Sequence, residues 1–339
     1  MKKFSALSLA ILLSLGLHAA QAQTPVGEVK GTATAHTEAS AKGVMAGAQL
    51  VLPTQATGGA AYVGAFKDAP ATARNKVPVV VVGHGAAGRG LKAIGGWQQW
   101  LGSLGIASVA PDSFALPDRV TYKSPASKEV YEKIHALRRS EITLALQALQ
   151  SQPWADMQRL VLAGTSEGAT AVARYGGTEF AGRIIFSWSC EDNYFVERPD
   201  TAVVPGQQVL NVISSTDPFF SPTNTWLGNA SASGHCARAF KDHPQASVVL
   251  IPGAPHTLLN LRAARQPVQG FLVDLLKRGK HGRPAGAVRS SGRLQLLQQF
   301  QRRIPISHHT QAALVAAQAR AGGGAHHAVG GASGKAFAV

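Results

Sequence analysis

Short apolar runs alternate with amphipathic stretches from Gly47 to about residue 278, and this alternation predicts the class of fold. The segment Val77–Val82 holds five valines and one proline, which indicates a strand buried on both faces. Similar runs predict further strands at residues 49–52, 60–66, 106–110, 160–163, 183–187, 209–214 and 248–251.

Helical periodicity fills the intervals between these strands. Residues 91–104, 127–150, the stretch after residue 166 and residues 258–276 are predicted helices, and the longest has apolar residues at helical spacing. Strands that alternate with helices predict an α/β fold with a mostly parallel sheet and helices on both faces. The short segment between the strands ending near 186 and beginning near 209 leaves no room for a large cap domain.

A G-x-S-x-G motif lies between a predicted strand and a predicted helix. It reads Gly164-Thr165-Ser166-Glu167-Gly168, after the apolar run 160–163. A sharp strand-to-helix turn exposes a serine hydroxyl, and the flanking glycines relieve its crowding. Ser166 is therefore the predicted nucleophile, and the alternative is an ordinary turn serine.

A serine nucleophile needs a histidine base that is oriented by a carboxylate. Asp217 and His256 each follow a predicted strand, and sites form at the carboxyl ends of parallel strands. We predict Asp217 as the acid and His256 as the base. Asp192 also follows a strand end and remains the alternative acid.

The developing oxyanion needs two N–H donors. One is expected from the amide of Glu167, next to the nucleophile, and the other from Ala86, in the glycine-rich loop 83–88 after the valine strand. The side chain of Glu167 has a simpler interpretation, since a negative charge is favourable at a helix N-terminus.

These residues resemble the dienelactone-hydrolase-like group of the α/β-hydrolases over about residues 45–278. The similarity is carried by His84-Gly85, Pro111-Asp112-Ser113-Phe114, the G-x-S-x-G motif, Asp217 and His256, and the order Ser, Asp, His is the α/β-hydrolase order. The resemblance implies an α/β-hydrolase fold with Ser166, Asp217 and His256 as the catalytic residues and Ala86 with Glu167 as the oxyanion hole. Dienelactone hydrolases proper have a cysteine nucleophile, whereas this chain has a serine. The resemblance therefore does not extend to their substrates.

The first 22 residues have the pattern of a secretory signal peptide. Lys2 and Lys3 precede an apolar stretch at 4–17, and Ala20-Gln21-Ala22 offers a cleavage site after Ala22. No later run is long and apolar enough to cross a membrane, so we expect a periplasmic or secreted protein. Cys190 and Cys236 are then expected to form a disulfide near the site, and the alternative is two buried thiols.

The excess of positive charge belongs to the C-terminal tail. The formal net charge is +15, but ten lysines and arginines and no acidic residue follow Asp274. Residues 23–274 are therefore nearly neutral, and no nucleic-acid partner is expected for them. Residues 279–339 are rich in Gly, Ala and His and are predicted to be a largely disordered tail. Three interpretations of this tail are open. It is passive, it binds polyanions or a membrane surface, or it binds a metal through His308-His309 and His326-His327.

The sequence thus predicts three segments: a signal peptide at 1–22, a hydrolase domain at 23–278 and the tail. The function expected is an exported serine hydrolase that cleaves small-molecule or polymeric carboxylic esters without a metal or other cofactor. The alternatives are an amidase or peptidase with the same triad, and a non-catalytic binding protein on a hydrolase scaffold. The sequence specifies neither the substrate nor the oligomeric state.

Overall fold

The structure is a computed structural model that describes residues 27–86 and 88–278. The predicted signal peptide and the predicted tail lie outside the described residues, as do the two histidine pairs. Among the residues described, no helix is long and apolar enough to span a membrane.

An eight-stranded sheet forms the centre of the fold. Its strands are β2 (Gln49–Leu52), β3 (Tyr62–Ala65), β4 (Val77–Gly83), β5 (Ala107–Ala110), β7 (Ala155–Thr165), β8 (Gly182–Phe186), β9 (Gln208–Ser214) and β10 (Ala246–Ile251), in the order β10-β9-β8-β7-β4-β5-β2-β3. All neighbouring pairs from β10 to β5 are parallel, and β2 is antiparallel to both β5 and β3. Two short strands, β1 (Val29–Lys30) and β6 (Thr121–Tyr122), form a separate antiparallel pair.

Helices cover both faces of the sheet. They are α1 (Glu38–Ala46), α2 (Thr54–Thr57), α3 (Gly88–Ser103), α4 (Lys128–Leu149), α5 (Glu167–Arg174) and α6 (Arg262–Arg278). Short 3-10 helices lie at Phe66–Asp68 and Ser113–Ala115. Side chains alternate along a strand, so β4 contributes Val79 and Val81 to a core with α1, α4 and α5, and Val80 and Val82 to a second core with α3 and α6. Burial on both faces explains why this strand is an unbroken valine run.

The predicted fold class is confirmed. The sheet is mostly parallel with helices on both faces, and residues 187–207, between β8 and β9, contain no helix or strand that could form a cap. This is the architecture that the resemblance to α/β-hydrolases implies.

Several elements differ from the sequence prediction, and the short elements α2, β1 and β6 were not predicted. Helix α1 was not expected, because only Val44 and Met45 are buried along it; its start is marked instead by a capping box of Thr37 and Ser40. Strand β7 begins at Ala155 rather than at 160. Ala155 pairs with Val77 of β4, and the register shifts before Leu160 pairs with Val79, so the mostly polar residues 156–159 between them do not have the pattern of a strand. Helix α6 begins at Arg262 rather than at 258.

Candidate active site

Ser166 lies in a strained turn between β7 and α5. Its backbone angles are φ 56° and ψ −119°, a conformation that costs a non-glycine residue on the order of 1–3 kcal/mol. Ser166 is partly exposed, whereas the five residues before it and the five after it are buried. The surrounding fold therefore holds one hydroxyl-bearing residue at the surface in a conformation that it would not adopt by itself.

Glycine at position 168 allows this turn to pack against the neighbouring strand. A Cβ on Gly168 would lie 2.4 Å from the carbonyl oxygen of Gly83, at the end of β4. Any side chain there would push the turn away from β4. This close approach of two backbones is the physical reason for the last glycine of the motif.

His256 and Asp217 form a hydrogen-bonded pair beside the turn. His256 Nδ1 is 2.7 Å from Asp217 Oδ2, and Asp217 is fully buried while the histidine side chain is 18% exposed. Asp217 Oδ1 accepts hydrogen bonds from the amides of Phe219 and Phe220 at 2.9 and 3.1 Å. With its carboxylate fixed in this way, Asp217 binds the N–H at Nδ1 and leaves the lone pair of Nε2 free.

Asp192, the alternative acid, lies elsewhere. Its side chain is 61% exposed and is 3.4 Å from Lys128 Nζ, at the surface. The structure thus brings His256 together with Asp217 and not with Asp192.

Ser166 and His256 are both anchored at the end of β8, to its last residue and to the residue that follows it. The amide of Ser166 donates to the carbonyl of Phe186 at 3.0 Å, and the hydroxyl of Ser187 donates to the carbonyl of His256 at 2.5 Å. Among the hydrogen bonds of the described residues, none joins Ser166 Oγ to His256. Catalytic hydrogen bonds are often long in proteins without substrate and shorten when it binds.

The loop after β4 runs along Ser166. A Cβ on Gly85 would be 3.4 Å from Ser166 Cβ and 4.0 Å from Ser166 Oγ. Ala86, the predicted oxyanion donor, is the next residue and is partly exposed. The other predicted donor, the amide of Glu167, is at the first residue of α5, where backbone N–H groups are free of intrahelical partners.

The side chain of Glu167 has a role that the sequence did not indicate. It is fully buried, with Oε1 2.6 Å from Arg119 Nη2 and 3.3 Å from Arg138 Nε, and its Oε2 accepts from Tyr122 at 3.0 Å. Glu141 pairs with Arg138 as well. We call Arg119, Arg138, Glu141 and Glu167 the buried charge cluster.

The pKa values around this cluster are shifted by burial and by the two guanidinium groups. Burial and Arg138 lower the pKa of His84 well below its ordinary value, so its ring is neutral. Burial alone would raise the pKa of Glu141, but Arg138 and hydrogen bonds from His36 and Ser113 hold it below its ordinary value. Burial and Glu167 raise the pKa of Tyr122. The cluster therefore balances two positive charges with two negative ones.

The predicted disulfide between Cys190 and Cys236 is confirmed. It ties the segment after β8 to the segment that follows Asp217. Glu191 reinforces the link, because its carboxylate accepts from the amides of Ser233 and Gly234, each at 2.8 Å. The bridge therefore restrains the chain on which the His256–Asp217 pair depends.

Aromatic side chains line the approach to His256. Phe219 meets the imidazole edge to face, with ring centroids 4.6 Å apart, and Phe220 lies 6.0 Å away. The ring of Trp226 lies 6.1 Å from that of Phe219, and the ring of Tyr194 lies 4.5 Å from that of Trp226. We call Phe219, Tyr194 and Trp226 the aromatic wall. Phe219, Tyr194 and Trp226 are partly exposed. Within residues 27–86 and 88–278, no group of His, Cys, Asp and Glu side chains has the arrangement of a metal site.

No protein-family model matches the chain, and no curated protein matches it. It is similar to solved structures at low identity. One is Est1E from Butyrivibrio proteoclasticus, at 16% identity and a TM-score of 0.41 over 68% of this chain and 94% of that one. Another is a putative dienelactone hydrolase from Klebsiella pneumoniae, at 15% and 0.44 over 61% and 89%. A third is the thermophilic esterase Est2 from Thermogutta terrifontis, at 15% and 0.45 over 67% and 89%. With TM-scores below 0.5, these three assign no role to any residue here.

Proposed function

We propose that this chain is an exported serine hydrolase that cleaves carboxylic esters through an acyl-enzyme intermediate. Ser166 is the nucleophile, His256 the general base, Asp217 the orienting acid, and the amides of Ala86 and Glu167 the oxyanion hole. The observation that carries the proposal is the strained turn at Ser166 beside a preformed His256–Asp217 pair. Strain of this kind persists only where the surrounding structure imposes it, and it clusters at reactive sites.

The first half of the reaction follows from this arrangement. Ser166 Oγ attacks the acyl carbon while its proton passes to His256 Nε2, and Asp217 stabilises the imidazolium through Nδ1. The carbonyl oxygen becomes an oxyanion between the two amides. The tetrahedral intermediate then collapses, the C–O bond to the alcohol breaks, and His256 returns the proton to the departing alkoxide.

The second half repeats these steps with water. His256 removes a proton from the water as it attacks the acyl-enzyme, a second oxyanion forms, and the acid leaves as Ser166 regains its proton. No step requires a cofactor. The partly exposed aromatic wall of Phe219, Tyr194 and Trp226 gives an apolar part of an ester, from a small molecule or a polymer, a surface to bind.

Export is supported by the disulfide, since such bonds persist in oxidising compartments. We accordingly place the mature protein in the periplasm or outside the cell, after cleavage at Ala22.

The test of the proposal is the Ser166→Ala variant, assayed against esters of varied acyl length, lactones, polyesters and amides. We expect the variant to keep its fold and to lose at least about 10³-fold in kcat, because the nucleophile is gone. A fluorophosphonate probe should label the wild type and leave the variant unlabelled. A wild type that is folded, unlabelled and inactive on every ester would favour a binding protein, and activity on amides alone would favour the amidase.

A further inference from the structure

The buried charge cluster takes no part in the reaction described above, yet it lies directly beneath the site. Its four members are between 0 and 5% exposed. Removing each ion from water has a large desolvation cost, and apolar side chains of similar volume often stabilise a core at least as well. Stability alone therefore does not account for the cluster. Its contacts with the loop after β4 and the turn after β7 offer another explanation.

Arg138 connects the two segments that carry the oxyanion donors. Its Nη2 donates to the carbonyl oxygen of His84 at 2.8 Å, two residues before Ala86. Its Nε forms an ion-pair contact, without hydrogen-bond geometry, at 3.3 Å from the carboxylate of Glu167, whose own amide is the second donor. One planar guanidinium group thus contacts the loop after β4 and the turn after β7 at once.

Arg119 makes a second connection between the same segments. Its Nη2 is 2.6 Å from Glu167 Oε1, and its Nε donates to the hydroxyl of Ser113 at 2.8 Å. The amide of Ser113 donates to Nε2 of His84 at 3.2 Å, and Nδ1 of His84 is 2.7 Å from the carbonyl oxygen of Gly85. A neutral His84 ring that accepts at Nε2 and donates at Nδ1 satisfies both contacts.

We propose that Arg138, with Arg119 and the carboxylate of Glu167, is a positioning residue that sets the spacing between the amides of Ala86 and Glu167. None of these three side chains touches the substrate. The proposal rests on the proposed function, because the two amides matter only if an oxyanion forms between them. A lysine keeps the positive charge but not the planar fork, so it cannot make these contacts together.

The expected size of the effect follows from what is displaced. Removal of one oxyanion donor lowers kcat by roughly 10²–10³-fold, and a misplacement of about 1 Å costs up to about 10²-fold. In Arg138→Lys the donors remain but their spacing is less well fixed. We therefore expect kcat to fall by about 10- to 100-fold with KM almost unchanged, since the donors act mainly on the transition state.

The experiment compares Arg138→Lys with Arg174→Lys. Arg174 is a matched control because it is also buried and paired with carboxylates, those of Glu132 and Asp200, but contacts neither donor segment. Three properties are measured for each variant: kcat and KM on the best ester, the affinity for the corresponding trifluoromethyl ketone, and the affinity for the product alcohol. The ketone forms an oxyanion on Ser166, and the alcohol does not. Hydrogen exchange of peptides covering 83–86 and 165–168 is measured as well.

The proposal is supported if Arg138→Lys loses kcat and ketone affinity by the same factor, keeps its KM and alcohol affinity, and exchanges faster in both peptides. It is overturned if Arg138→Lys keeps wild-type kcat, or if ketone and alcohol affinities fall together as in a general loss of structure. Should the wild type neither react with the fluorophosphonate nor cleave any ester, the proposed function fails. Hydrogen exchange of the two peptides then still tests whether Arg138 holds the two segments in place. If exchange in Arg138→Lys equals that of the wild type, Arg138 does not hold them. If Arg138→Lys does not fold, Arg119→Lys is held to the same outcomes.

Discussion

The site consists of two halves that are held in place by different kinds of bond. The elbow half comprises residues 84–86 and 166–168 with the buried charge cluster under them, and it is joined by the ion pairs of Glu167 with Arg119 and Arg138, which lie far from it in the chain. The acid–base half comprises residues 187–194, 215–236 and 252–256. It is joined by the Cys190–Cys236 disulfide and by hydrogen bonds to backbone amides, such as those that fix Asp217.

The difference teaches which condition should disturb which half. Long-range ion pairs and neutral buried histidines respond to acid, because protonation changes the charges that they balance. A disulfide does not titrate, but reductant breaks it. The elbow half is thus expected to be sensitive to pH, and the acid–base half to redox conditions.

The largest effect is expected within the acid–base half, at its buried carboxylate. Asp217→Asn should lower kcat on the order of 10⁴-fold, because the amide no longer fixes the tautomer of His256. Asp192→Asn is the matched control: its exposed side chain pairs with Lys128 at the surface, so we expect little change. Steady-state kinetics on one ester compare the two. A large loss at Asp192 with little at Asp217 would transfer the acid to the other strand end.

The next effect concerns the covalent link in the same half. Replacement of both Cys190 and Cys236 by alanine should lower the free energy of unfolding by about 3–4 kcal/mol, because the bridge closes a long loop in the unfolded chain. Urea unfolding measures this difference, and wild type in reductant should reach the same value. An unfolding free energy equal to that of the oxidised wild type would contradict the prediction.

The smallest effect is a pH dependence that arises on α4, one turn before Arg138. His135 on α4 is fully buried, neither ring nitrogen has a hydrogen-bond partner among the described residues, and burial with Arg174 lowers its pKa well below the ordinary value. Well above about pH 6.5, the ordinary pKa of histidine, it is neutral both folded and unfolded. Below that pH the unfolded chain takes up the proton first, so stability falls as pH falls, by up to about 1.4 kcal/mol per unit.

His135→Phe removes this proton without changing the shape of the side chain much. Unfolding free energies at about pH 7.5 and pH 5.5 should therefore differ less in the variant than in the wild type, by the contribution of one histidine. The lowered pKa of His84 should leave a residual dependence in the variant. Identical pH dependence in the two proteins would show that His135 does not stay neutral in the fold.

The sequence predicted the parts of the molecule whose signals are local. The valine run of β4 and the elbow at Ser166 were found because strand and turn are encoded within about ten residues. The sequence left Asp217 and Asp192 open, since both follow a strand, and only the fold decides which carboxylate meets His256.

The buried charge cluster was out of reach for the opposite reason. Arg119, Arg138 and Glu167 lie in three separate segments, and each is of a type usually found at the surface. Their pairing depends on how α4, α5 and the loop after β5 pack. Ser187, which holds the carbonyl of His256, likewise follows β8 without any motif of its own.

The proposed base and the proposed nucleophile follow strands at different positions in the sheet. Ser166 follows β7, which has a neighbour on each side and is buried towards its end, whereas His256 follows β10, an edge strand with one neighbour and an exposed Leu250. Opening an edge strand breaks one ladder of hydrogen bonds, and opening a central strand breaks two, so partial unfolding reaches His256 at lower free energy. On heating, the segment that carries His256 should therefore detach while most of the molecule is still folded, and the proposed activity should be lost. Cooling should restore the activity.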